Sequence, residues 1–241
     1  MKHLDFTIDF ETVGLTAQAA PMQVACLPWL RDDDRDPFVR DDELKPFVAY
    51  VDLRSCVVDG FEFSQDTVQW WSRKSEVAKS AVCAGEAQPV ADVLVSLLDY
   101  IDNTAERYHL DSLCLWCQGP DVDIAILRHL CAKYDVYLED IVPHTAFRDC
   151  RTVIIEAAVT EAQRRYNVAV ATATSILPDG TPYPLETPTV ADILADPKKA
   201  YDFYDPLPEK YANGSEAHDA LYDCRRSSWY TWQALQWLGR A

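Results

Sequence analysis

Residues 8–12 read Ile8-Asp9-Phe10-Glu11-Thr12, two carboxylates separated by one aromatic residue in an apolar run. Residues 4–10 are rich in β-formers and predict a first strand. Side chains on a strand alternate faces, so Asp9 and Glu11 share one side while Ile8 and Phe10 pack into the other. The apolar flanks predict a central strand and not a solvated edge. Carboxylates held this close repel each other. Charge in such a setting needs a partner, and a divalent cation between the two groups supplies one.

Working outward, residues 22–29 form a second apolar run, 31–43 a charged loop or hairpin tip, and 47–53 a third strand. Residues 66–74, containing Gln69-Trp70-Trp71, read as a helix. Apolar residues at Val90, Val93, Leu94, Leu97, Leu98 and Ile101 give a helical stripe over 89–107, opened by Pro89. A fourth strand at 110–117 ends at Gly119-Pro120. A helix follows from Val122, with Leu127, Leu130, Cys131 and Tyr134 on one face. Residues 144–147 read as a short fifth strand and 151–166 as a helix. The stretch 175–214 holds seven of the fourteen prolines. A structureless loop that long is unusual inside a domain, so it reads as an insertion with a short helix near 190–194. The last helix spans 219–238. Strands first, then alternating helix and strand, predict an α/β fold with a mixed five-stranded sheet flanked by helices, in one domain over 1–241.

Two further strings carry chemistry. Gly119-Pro120-Asp121-Val122-Asp123-Ile124 puts Asp123 just past a strand's C-terminal end, where α/β folds concentrate ligands. Asp121 competes for that role and is the better placed of the two to cap the helix. His218-Asp219-Ala220-Leu221-Tyr222-Asp223 separates a histidine and an aspartate by five residues, about 140° around a helix. They cannot share a helical face. The simple solution leaves His218 in the preceding loop, Asp219 as cap, and Asp223 in the second turn. A loop histidine has the right ordinary pKa for a general base. Alone, each aspartate would more often be a cap and the histidine a surface residue; the combination lifts them. Four carboxylates without a His/Cys cluster favour Mg²⁺ or Mn²⁺ over zinc. Two such ions can bracket a scissile phosphate, so the set matches a two-metal phosphodiester hydrolase.

Bulk properties narrow the partners. The net charge of −17 argues against wrapping long nucleic acid, which needs a positive stripe, but permits a small site that grips a strand end. No apolar run is long enough to span a membrane, and the N-terminus lacks a signal-peptide core; a cytoplasmic protein is expected. The eight cysteines then read as reduced, buried hydrophobes. Cys114 and Cys117 form a lone CxxC on a strand, where the two positions face opposite ways, so a structural role is expected.

Asp-x-Glu near the start, a middle Asp and a late His-x-x-x-x-Asp together resemble the DEDDh group of 3′–5′ exonucleases. Asp9 and Glu11 match its first motif, Asp123 its second, and His218 with Asp223 its third. Asp9-Phe10-Glu11-Thr12, Gln69-Trp70-Trp71, the segment 119–127 and Phe147-Arg148-Asp149-Cys150-Arg151-Thr152 look like the exodeoxyribonuclease VIII-like and RNase AS-like branch. The resemblance implies the RNase H-like fold and hydrolysis of single-stranded DNA or RNA from the 3′ end to nucleoside 5′-monophosphates. It implies that Asp9, Glu11, Asp123 and Asp223 hold two Mg²⁺ or Mn²⁺ ions and that His218 acts as base. It also implies that Thr12, Val13 and Leu15 line the terminal-nucleotide pocket, with Leu15 as a wedge. Trp70 is expected to stack on a base or to anchor the helix with Trp71; Arg148 and Arg151 reach phosphate or form salt bridges. Related exonucleases are often symmetric dimers, and the insertion could supply a contact. The competing readings are a short-oligonucleotide hydrolase and a non-catalytic binder of nucleic-acid ends.

Overall fold

The computed structural model describes residues 4–38, 44–108, 113–171, 188–212, 214–215 and 217–239. Its six-stranded sheet is built on β1 (Leu4–Thr12), β2 (Pro21–Leu30) and β3 (Phe47–Val51), which run antiparallel in sequence. The edge strand β4 (Ala87–Gln88) is parallel to β3. On the other side of β1, β5 (Leu115–Cys117) and β6 (Phe147–Asp149) are parallel to it and to each other, respectively. The order is β4-β3-β2-β1-β5-β6. The fold is α/β with a mixed sheet, consistent with the RNase H-like exonuclease fold. The expected five strands become six because β4 is two exposed residues long, too short to carry a period.

β1 is central, and its two faces differ. Leu4, Phe6, Ile8 and Phe10 are buried in the main core. They share it with the stripe of α4 (Val90–Arg107), all six of whose predicted apolar positions are buried, and with Ile124, Ile126, Leu127 and Leu130 of α5 (Asp123–Lys133). The opposite face carries Asp5, Thr7, Asp9 and Glu11. Asp5 accepts from Trp116 Nε1 at 2.7 Å and pairs with Arg31 at 2.6 Å. Thr7 Oγ1 accepts from Trp29 Nε1 at 3.0 Å and from Ser228 Oγ at 2.8 Å. Ser228 lies on α9 (Ala220–Leu238), and Cys224, one turn earlier, donates to Thr7 O at 3.3 Å. Buried polar groups are as a rule hydrogen-bonded, and Asp5 and Thr7 meet that need through Trp116, Arg31, Trp29 and Ser228. Asp9 and Glu11 continue the polar face towards the C-terminal end of β1.

Other boundaries shift for local reasons. β3 stops at Val51 because Asp52 caps α1 (Leu53–Val58), accepting from Arg54 N at 3.0 Å. Residues 144–146 form a 3-10 turn, and the strand predicted there begins at Phe147. α2 (Gln65–Ser72), capped by Ser64, matches the predicted tryptophan helix, and α3 (Glu76–Ala81) follows it unpredicted. Of the predicted fourth strand, residues 110–112 lie outside the described residues.

The described chain divides into two compact units. The first, residues 1–149 with 207–228, contains the sheet. The second, 150–206 with 229–241, is built on α6 (Cys150–Ala171), α7 (Val190–Ala195) and a 3-10 segment at Pro197–Phe203. Within it Tyr204 donates to Ile154 O at 2.6 Å and stacks on Trp237 at 4.6 Å, and Trp229 Nε1 donates to Asp205 O at 2.8 Å. The short helix predicted at 190–194 is α7. Residues 175–187 of the predicted insertion lie outside the described residues. No described helix is long and apolar enough to cross a membrane.

Candidate active site

The predicted carboxylates converge at the C-terminal end of β1. β5 ends at Cys117, and its register with β1 ends at Thr7 opposite Trp116, short of Phe10. Asp123, the first residue of α5, takes that place: its Oδ1 accepts from Phe10 N at 3.2 Å, between Asp9 and Glu11 in the chain. A buried backbone N–H is thus satisfied by a side-chain carboxyl in place of a strand partner. Asp121 is exposed, and the α5 N-cap is Val122 with no side-chain cap bond, so the expected capping by Asp121 is not what the helix uses.

Asp223 lies in the first turn of α9, one turn earlier than predicted, and His218 lies in the loop before it. His218 has φ = +75°, a conformation uncommon outside glycine and found where surroundings enforce it. Its backbone N–H donates to Asp223 Oδ2 at 2.8 Å, which ties the loop to the helix. Glu11, His218 and Asp223 bring one potential ligand atom each within 4.8 Å of one another. Asp9 and Asp123 join them electrostatically. Burial, then Asp123, Glu11 and Asp223, hold the Asp9 carboxyl well above its usual range, against a smaller opposing pull from Arg226. Burial, then Asp223 and Asp123, push Glu11 up to about 8. Burial raises Asp223 as well, against Arg226.

These directions are those of a site short of positive charge. Among the described residues the buried Asp223 Oδ1 accepts no hydrogen bond, and Arg226 Nη2 stands 2.9 Å away as an ion pair. Oxygen-rich, mutually repelling and partly orphaned, the donor set fits a hard divalent cation. Added cation would lower each pKa that crowding raises.

The predicted substrate residues divide. Trp71 is buried and its Nε1 donates to Thr12 O at 2.9 Å, which pins the turn after β1 to α2. Trp70 is 40% exposed and Leu15 76% exposed. Thr12 is buried, and the Val13 side chain belongs to the core. Arg148 Nη1 donates to Phe147 O at 2.8 Å and to Thr145 O, a local duty.

Two site residues carried no sequence signal. Gln23 on β2, opposite Glu11 in the register, is buried and spans the start of α9. Its Nε2 donates to Asp219 Oδ1 at 3.3 Å and its Oε1 accepts from Ala220 N at 3.0 Å. It thereby sets the position of Asp223. Lys74, just past α2, holds its Nζ 3.1 Å from His218 Nε2 and 3.7 Å from the Trp70 ring centroid. A lone glutamine in a strand and a lysine after a helix look ordinary in sequence.

Comparison with curated proteins gave no match. Residues 4–176 match the 3′–5′ exoribonuclease Rv2179c-like domain, a span that includes Asp9, Glu11 and Asp123 and ends before His218 and Asp223. The chain belongs to that family and is a 3′–5′ exonuclease of the DEDDh, RNase T-like type.

Proposed function

We propose that this chain shortens single-stranded RNA from the 3′ end, releasing nucleoside 5′-monophosphates. Asp9, Glu11, Asp123 and Asp223 hold two Mg²⁺ or Mn²⁺ ions, and His218 is the general base. The observation that carries this reading is the convergence of these carboxylates at the end of β1, beside a loop histidine, where burial and neighbouring carboxylates raise the pKa values of Asp9, Glu11 and Asp223. When bound, the cations would offset charge developing on the phosphate and at the leaving oxygen.

The chain's own groups do the rest. The imidazole of His218 takes a proton from the attacking water. The water oxygen bonds to phosphorus as the P–O3′ bond breaks, and the leaving oxygen, once protonated, is the new 3′ hydroxyl. The bond from His218 N to Asp223 Oδ2 keeps base and ligand in register. Arg226 Nη2, 2.9 Å from Asp223 Oδ1, orients that carboxyl and opposes the rise in its pKa. Exposed Leu15 wedges beside the terminal base, Thr12 and Val13 shape its pocket through the pinned turn, and exposed Trp70 stacks, an interaction worth about 1–3 kcal/mol per base. The net charge of −17 favours a strand end as substrate over long duplex. The reading takes 1–241 as one cytoplasmic exonuclease domain in which 175–214 is an insertion, available as a homodimer contact.

Product analysis tests it. Chromatography of a digested single-stranded oligoribonucleotide should yield nucleoside 5′-monophosphates. Nucleoside 3′-monophosphates or internal fragments would refute the proposed bond cleavage and polarity.

A further inference from the structure

Lys74 stands where a basic group interferes with the base it touches. A lysine ammonium has donors and no lone pair. Its Nζ lies 3.1 Å from His218 Nε2, a contact that an ammonium makes with a ring nitrogen that accepts. A neutral imidazole has one such lone pair. The same lone pair must accept the proton of the attacking water, and Lys74 and the water cannot both hold it. The contact places Lys74 on the ring nitrogen that a water at this face of His218 would meet.

Where Lys74 can move is set by its surroundings. Its ammonium sits on the face of Trp70, which meets the His218 ring edge-on at 4.7 Å. It also attracts Glu11 across the site. The cation thus stands at the rim of a strongly acidic centre, beside an exposed aromatic, on a stem of four flexible carbons. A phosphodiester under attack by a water at His218 must come within reach of that ammonium.

We propose that Lys74 is a substrate-phosphate ligand: it rests on the His218 lone pair in the free enzyme and moves onto the phosphodiester when a strand binds, freeing the base. The proposal rests on the function argued above for the same site. It makes Lys74 a device that keeps the base occupied until a phosphate arrives.

The test is binding of a 5′-fluorescein single-stranded oligoribonucleotide by anisotropy, with Ca²⁺ replacing Mg²⁺ to slow cleavage, over a range of salt. Wild type, Lys74→Gln and Lys74→Arg are compared, and their steady-state kinetics are then measured in Mg²⁺. Lys74→Gln should bind RNA about tenfold more weakly, as for loss of one charge-assisted contact. Its slope of log K against log salt should shrink by about 0.7, one phosphate contact to a single strand. Lys74→Arg should keep the slope. KM should change more than kcat. Unchanged affinity and slope in Lys74→Gln would overturn the proposal, as would a fall in kcat alone, which marks mere positioning of His218. Wild type that shows the Lys74-dependent binding yet cleaves nothing in Mg²⁺ would refute the exonuclease mechanism and leave the phosphate contact standing. Wild type that does not bind RNA at all would overturn both.

Discussion

Replacing Glu11 with glutamine should stabilise the metal-free protein. Glu11 is buried, and burial with Asp223, Asp123 and Asp219 raises its pKa from 4.5 to about 8. Between those values the folded chain keeps a proton that the unfolded chain has released. Stability is then fully present below pH 4.5 and falls by about 1.4 kcal/mol per pH unit as pH rises towards 8. At pH 7 the loss from this one group amounts to about 3 kcal/mol, shared within a cluster that titrates together. Glu11→Gln keeps the side chain's shape and removes the titration. In EDTA at pH 7 its Tm should exceed that of wild type by up to about 6–12 °C, at about 2–4 °C per kcal/mol for a chain of this size. The assay is thermal unfolding of both proteins in EDTA from pH 5 to 8, repeated with Mg²⁺. The gap between variant and wild type should widen with pH. Mg²⁺ should then raise the wild-type Tm more than the variant's, because a cation that binds only the folded state stabilises by mass action. A variant less stable than wild type in EDTA at pH 7, or a gap that does not grow with pH, would refute the reasoning.

Other outcomes follow from the same geometry. Asp123→Asn should abolish hydrolysis while Asp121→Asn, altering an exposed residue, stays near wild-type turnover; equal loss in both would show the wrong aspartate was chosen. Gln23→Leu should cost about 1–3 kcal/mol in denaturant unfolding, because it strips hydrogen bonds from Ala220 N and Asp219, and should also weaken Mg²⁺ binding by calorimetry. Trp71→Phe removes the bond to Thr12 O and should lower stability by about 1 kcal/mol or more while raising KM, whereas Trp70→Ala should raise KM at little cost in stability.

What could be read from the sequence was whatever repeats at short range. The alternation in β1 put Phe6, Ile8 and Phe10 in the core and Asp9 with Glu11 on the other face. The stripe of α4 is buried at each predicted position. The impossibility of placing His218 and Asp223 on one helical face put His218 in the loop, although Asp223 falls in the first turn of α9, not the second. β4 escaped because two residues are too few to show a period, and α3 because Ala78 is its one buried residue and leaves no apolar stripe to read. Gln23 and Lys74 escaped for another reason. Their partners, Asp219 with Ala220 and His218, lie 144 or more residues away in the chain, and only the β1–β2 register and the packing of α2 bring them together. Asp121 had the right composition for a cap, but the Gly119-Pro120 turn delivers the chain so that Val122 fills that position.

The most direct test of the central claim is hydrolysis of a 5′-labelled single-stranded RNA by wild type and Asp9→Ala, in Mg²⁺, Mn²⁺ or EDTA. The account predicts a ladder that shortens from the 3′ end with either ion, and no cleavage in EDTA or with Asp9→Ala. Cleavage that persists in EDTA, or full turnover by Asp9→Ala, would contradict it.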